Sequence, residues 1–398
     1  MYIEPRKHLT ESPLAVLFGQ MVEFARAIVD FVRRYVVRTA AAVAAIATVL
    51  SVTACGDTTS STSAAVVKDC PSSPMPDPDG RLAVQGAAPR IVVPVDTSTS
   101  TVLSPGTAPQ IQCGRTPLST HTDVVYGEQV KMDIQVPQTA GRKPLVVYVP
   151  GGGFVMADKG GNLALRTFIA EAGYVVASIQ YRVQPDGATY VDSISDVKAA
   201  IRYLRAHAAD YGIDPDAVAV WGDSAGGYLA AMTGVTNGDK RFDSGADLDQ
   251  SSNVQAVIDK FGAADLSRLQ SDFDPDTQRA MAPLLAATAK YVNGPTNTTP
   301  LTADPAAIAQ ANPITYIQPT DPPFVIFHGS EDTTISPSQT LILHNALVAA
   351  GVDSTRYIVD GAAHGDVAFT GNPQNSLQWT TQEVAGRLTS FLAQHLKR

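Results

Sequence analysis

No Lys/Arg stripe, no apolar run of membrane-spanning length and no internal repeat occur in these 398 residues, and cysteine is limited to three. Each scarcity closes off a class. The formal net charge is -9, and the first 54 residues carry six Lys/Arg against four acids, which leaves -11 for everything after them. An acidic body without a basic stripe repels phosphate backbones, so nucleic acid is not expected as a partner. The longest apolar run, 39–54, is 16 residues of mostly Ala and Val, short of the ~20 that a spanning helix needs. The lack of a propeller-like repeat ahead of the main domain weakens an oligopeptidase reading. The hydrophobic fraction of 44% is still that of a globular chain with a real core.

What is present begins with a leader. Arg33, Arg34 and Arg38 precede the 39–54 run, which suits the h-region of a signal peptide covering 1–54. The long stretch ahead of the run leaves Met21 as an alternative start. Val52-Thr53-Ala54-Cys55 resembles the lipobox of bacterial lipoproteins, in which the cysteine is acylated. On that reading Cys55 anchors the chain at the extracytoplasmic face of the membrane; the alternative is an ordinary secretory leader with a coincidental cysteine. Residues 55–118 are rich in Thr, Ser, Pro, Asp and Ala, bury little, and read for the most part as a flexible tether, with short apolar pieces such as Ile91-Val92-Val93-Pro94-Val95 as candidates to pack on the domain. Cys70 and Cys113 remain in an exported, oxidising compartment, either bonded to each other or as two free thiols.

The main domain spans 119–398. Its strand candidates are 131–136, 145–149, 174–178, 217–221, 254–261, 324–328 and 357–359, rich in Val, Ile and Tyr and bounded by Gly, Pro or Asp. Helix candidates are 163–172, 192–209, 225–235, 337–350 and 382–396. In 192–209, Ile194, Val197, Ile201 and Leu204 share one helical face. Strands alternating with helices imply an α/β fold with a mostly parallel central sheet covered on both faces. Chemistry in such sheets sits at the carboxyl ends of strands.

Gly222-Asp223-Ser224-Ala225-Gly226 lies between an apolar strand and a helix, the setting in which G-x-S-x-G forms a sharp elbow with an exposed serine hydroxyl. The bland reading is a tight turn whose serine caps the helix. A second strand runs into Pro150-Gly151-Gly152-Gly153-Phe154. Consecutive glycines there expose backbone N–H groups to an oxyanion, and no Lys-Ser/Thr follows to make a phosphate loop. The proposed donors are the N–H groups of Gly152, Gly153 and Ala225.

A serine hydroxyl needs a base. Of seven histidines, His364 follows the last strand candidate in a loop of small residues and fits the chain order Ser, Asp, His. His328 ends a strand, His207, His344 and His395 lie in helical patterns, His121 precedes the core and His8 lies in the leader. Asp332, just past 324–328, is the candidate acid that orients the imidazole. Glu331 is the neighbouring alternative, Asp223 reads as structural, and Asp360 sits in the histidine loop.

Together these residues resemble the bacterial α/β-hydrolase carboxylesterases of the hormone-sensitive-lipase-like and feruloyl-esterase-like (BD-FAE) group. The likeness rests on Gly222-Asp223-Ser224-Ala225-Gly226-Gly227, Pro150-Gly151-Gly152-Gly153-Phe154 and His328-Gly329-Ser330-Glu331-Asp332, with Pro150 where that group usually has His. It implies hydrolysis of a small-molecule carboxylic ester without metal or organic cofactor, and a small cap insertion at about 267–312 that closes over the site. Rivals are an acyltransferase or peptidase on the same fold, and a catalytically inactive lipid-anchored binding protein.

Overall fold

The computed structural model describes residues 67–73, 90–365 and 377–397. The leader, Met21 and Cys55 lie outside them. Eleven strands occur among the described residues: β1 (Lys68–Asp69), β2 (Thr101–Leu103), β3 (Gln112–Cys113), β4 (Leu118–Val125), β5 (Lys131–Pro137), β6 (Lys143–Val149), β7 (Val175–Ile179), β8 (Ile213–Asp223), β9 (Ala256–Lys260), β10 (Phe324–Gly329) and β11 (Ser354–Val359). β1 and β3 form a small ribbon; the other nine make one sheet in the order β2-β11-β10-β9-β8-β6-β7-β5-β4. Only β5 runs against the rest, through antiparallel pairing with β7 and β4. This is the α/β-hydrolase architecture expected from the sequence.

Alternation along buried strands builds two cores at once. Leu145, Val147 and Val149 of β6 join Val218 and Val220 of β8 on one face, while Val146 and Tyr148 join Ala219 and Trp221 on the other. The helix Ala225–Val235 is buried along its whole length beneath the sheet centre, as an all-round apolar sequence requires. The helix Tyr190–Ala206 begins two residues before the expected start because Thr189 and Asp192 form a capping box, with the Thr189 N–H donating to Asp192 at 2.8 Å.

The sequence reading is corrected at the N-terminal side. Residues 90–118, expected to belong to a flexible tether, pack on the domain. β2 extends the sheet by pairing with Tyr357, Ile358 and Val359 of β11, Leu103 and Ile111 are buried, and Arg356 donates to the Ser100 hydroxyl at 2.6 Å. Ile91 bridges Phe273 at the start of the cap. Cys70 and Cys113 are joined by a disulfide. The domain boundary therefore lies before residue 90 rather than at 119. A three-residue strand in Thr/Ser/Pro-rich chain has no period long enough to read, and β4, largely exposed at the sheet edge, alternates too weakly to stand out.

Between β9 and β10 the chain leaves the sheet as three short helices, Pro275–Ala280, Ala282–Asn293 and Pro305–Gln310. This is the segment read as a cap.

Candidate active site

Four strand ends deliver the site. β6 leads into the three glycines, β8 into Ser224, β10 into Asp332 and β11 into the His364 loop. Ser224 has φ 57 and ψ -121, a backbone state that costs a non-glycine residue about 1–3 kcal/mol and persists only where neighbours enforce it. They do so here: the Ser224 N–H donates to the Lys260 carbonyl at 2.9 Å and the Ser224 carbonyl accepts from Tyr228 at 3.0 Å. The flanking glycines are required by close approach, since a Cβ at Gly226 would lie 2.0 Å from the Val149 carbonyl oxygen and one at Gly222 1.9 Å from that of Gly226.

The three predicted side chains meet. His364 Nε2 lies 2.8 Å from Ser224 Oγ and His364 Nδ1 lies 2.7 Å from Asp332 Oδ2. A carboxylate only accepts, so Nδ1 carries the proton and Nε2 is left to accept from the serine hydroxyl. Asp332 is fully buried, while Glu331 and Asp360 are exposed. Its Oδ1 accepts the backbone N–H groups of Thr334 at 2.8 Å and Ile335 at 3.0 Å. Burial alone would push the Asp332 carboxyl up, but the neighbouring His364 and His328 rings outweigh it and hold the group well below the usual carboxylate range.

His328 is the functional neighbour that sequence reasoning missed. Its Nε2 lies 3.1 Å from Asp332 Oδ2 and 3.0 Å from the Ile335 carbonyl. Both are acceptors without hydrogens, so Nε2 carries the proton. Burial pushes its pKa down despite the carboxylate beside it, which keeps the ring neutral. The only sequence signal was its position four residues before Asp332. Among the other histidines, His207, His344 and His395 contact Asp210, Ser354 and Asp353, and His121 packs edge-on against Tyr211.

Gly153 and Ala225 line the same pocket as Ser224 and His364. Gly152 has φ 142, and its carbonyl accepts from Val155 and Met156 in the turn that follows. A Cβ there would fall 2.2 Å from the Met156 carbonyl oxygen. Tyr181 donates to the Pro150 carbonyl at 2.9 Å, fixing the position where the resembling group has histidine. Asp223 faces away from the pocket, accepting from Asn162 Nδ2 at 2.6 Å and Trp221 Nε1 at 2.9 Å. The pocket encloses about 100 Å³ and is walled by Phe154, Leu269, Met281, Leu284 and Ile335, of which Leu269, Met281 and Leu284 come from the cap segment.

A buried serine, histidine and aspartate in hydrogen-bond sequence at the carboxyl edge of this sheet form the triad arrangement of the α/β-hydrolase fold. The BD-FAE family model matches residues 132–347, more than half of the chain, and the chain belongs to that family. It is 34% identical over 224 residues to the probable carboxylic ester hydrolase LipM of Mycobacterium tuberculosis, covering 54% of this chain and 49% of the relative. The chain spans about half the length of the curated relatives it matches. Among solved structures, a truncated carbohydrate esterase from gut microbiota superposes with a TM-score of 0.61 at 26% identity, covering 73% of this chain and all of the other. The butyrate-bound esterase Est2 of Thermogutta terrifontis gives 0.53 at 25% identity, over 70% of this chain and 94% of that one.

Proposed function

We propose that this chain is a serine carboxylesterase acting through an acyl-enzyme intermediate on Ser224. The observation that carries this reading is the unbroken hydrogen-bond sequence Ser224–His364–Asp332, at 2.8 and 2.7 Å, opening into a largely apolar pocket. His364 takes the Ser224 proton as Oγ attacks the ester carbonyl, and Asp332 stabilises the imidazolium that forms. The N–H groups of Gly152, Gly153 and Ala225 receive the oxyanion. The alcohol departs with the proton from His364; water then repeats the sequence and releases the acid. A pocket of about 100 Å³ favours a short acyl group, in keeping with the butyrate held by the Thermogutta esterase.

We place the enzyme outside the cytoplasm, tethered through lipidated Cys55. The Val52-Thr53-Ala54-Cys55 pattern supports this, and the Cys70–Cys113 disulfide suits an oxidising compartment.

Ser224→Ala tests the assignment. Turnover of p-nitrophenyl acetate or butyrate should fall by at least about a thousandfold, and labelling by a fluorophosphonate probe should vanish. Comparable activity in that variant would remove Ser224 from the mechanism.

A further inference from the structure

We propose that Lys260 is a positioning residue that ties the nucleophile elbow to the loop carrying His364, a role that rests on the esterase reading above. Lys260 is the last residue of β9, paired in register with Asp223 on one side and Phe327 on the other. Its side chain is only 2% exposed. A lysine that deep is costly to desolvate unless its charge is met, and an apolar residue would fill a central strand position without that cost. The reason for a cation lies in what surrounds it.

The ammonium lies 3.4 Å from Asp223 Oδ2, the residue immediately before the nucleophile. It also sits over three aromatic rings, 4.9 Å from the Trp379 centroid, 5.3 Å from Phe261 and 5.7 Å from Trp221. These rings belong to segments that must be held in register. Trp221 stands in the strand that ends in the elbow. The Phe261 ring packs 4.7 Å from the His364 ring, and its backbone is held at φ 47, a strained value for a phenylalanine. Trp379 donates its indole N–H to the carbonyl of Ala363, next to His364, at 3.0 Å.

The main chain of Lys260 completes the link, because its carbonyl accepts the Ser224 N–H at 2.9 Å. One residue thus holds the serine backbone directly and gathers, around one buried cation, the rings that back the histidine. Asp223 already has three other donors, in Asn162, Trp221 and the Tyr148 hydroxyl. Loss of the Lys260 charge therefore removes the attraction between segments more than it abandons a carboxylate. The Ser224–His364 contact of 2.8 Å tolerates little displacement.

The test compares Lys260→Met, which keeps length and apolar bulk but removes the cation, with wild type and Ser224→Ala in the full chain. Circular dichroism and thermal unfolding establish that each is folded. The expected result is a kcat for p-nitrophenyl acetate lowered about 10- to 100-fold with KM within about twofold, and fluorophosphonate labelling slowed by a similar factor. A kcat within about twofold of wild type, or a loss carried by KM, overturns the proposal. Should Lys260→Met not fold, Trp379→Phe keeps a ring beneath the ammonium and removes only the bond to Ala363. It should lower kcat with KM unchanged; an unaltered kcat overturns the link to the histidine loop. Residual turnover in Ser224→Ala would instead sink the esterase reading, so the two failures are separable.

Discussion

Replacing Asp332 by asparagine should silence the enzyme through the wrong histidine tautomer while leaving the fold in place. The environment of the carboxylate dictates which way an amide must sit. Asp332 Oδ1 accepts two backbone N–H groups, from Thr334 and Ile335, so the asparagine carbonyl has to occupy that position and its NH2 is forced toward His364 and His328. An NH2 group donates to His364 Nδ1, the proton moves to Nε2, and Nε2 can no longer accept from the Ser224 hydroxyl. The rotated amide offers no escape, because it would aim its N–H groups at two backbone N–H groups, which cannot move their protons as the imidazoles of His364 and His328 can. The expected cost is about 10⁴-fold in kcat, the loss seen when a triad carboxylate elsewhere is treated this way, or about 5.5 kcal/mol of transition-state stabilisation. The assay is kcat and KM on p-nitrophenyl butyrate, with thermal unfolding recorded beside it. A folded Asp332→Asn enzyme within tenfold of the wild-type kcat would refute the argument, because the tautomer would then not be set by this residue.

Two further outcomes follow from groups away from the reacting atoms. Asp259 is fully buried beneath the elbow, with Oδ1 accepting from Gly262 at 2.9 Å and Oδ2 unpartnered among the described residues. Burial, aided by the Asp223 charge, pushes its carboxyl up to about 7. A native-state value above the unfolded one means that the folded protein binds the proton more tightly. Its stabilising effect is full below about pH 4 and is lost as pH rises towards 7. Urea unfolding at pH 5 and pH 8 should show a loss of up to about 2.7 kcal/mol from this group. Asp259→Asn should remove that part of the slope, and an unchanged slope would show that the carboxyl is not neutral in the native state. The Cys70–Cys113 disulfide spans 43 residues, so opening it with reductant or by Cys113→Ser should lower stability by up to about 4 kcal/mol. It ties chain next to the Glu171 end of a helix, where Gly114 and Arg115 donate to that carboxylate, so kcat should hold; a fall in kcat without a shift in melting temperature would contradict this.

Much of the site was legible because its chemistry demands rare local patterns. An elbow serine needs small residues two positions to either side, and the approaches of 1.9 and 2.0 Å show why Gly222 and Gly226 admit nothing larger. The oxyanion loop needs glycines after a strand, and the acid and base need loops past later strands in the order the fold imposes. His328, Lys260 and Asp259 were not legible in these roles. A histidine ending a strand, and a lysine and an aspartate within one, carry no pattern of their own. Their meaning comes from what the sheet places beside them.

The same division holds for the chain as a whole. Periodicity was enough to establish an α/β sheet with its long strands and helices, because local sterics and burial act on neighbouring residues, while Ser224, Asp332 and His364 were picked out by a short motif and by their order along the chain. Docking of 90–118, pairing of Cys70 with Cys113 and the entry of Leu269, Met281 and Leu284 into the pocket were decided only by the folded structure. So was the distance of 2.8 Å between residues 140 positions apart. Such contacts depend on the register of strands far apart in the chain, and no local preference encodes that register.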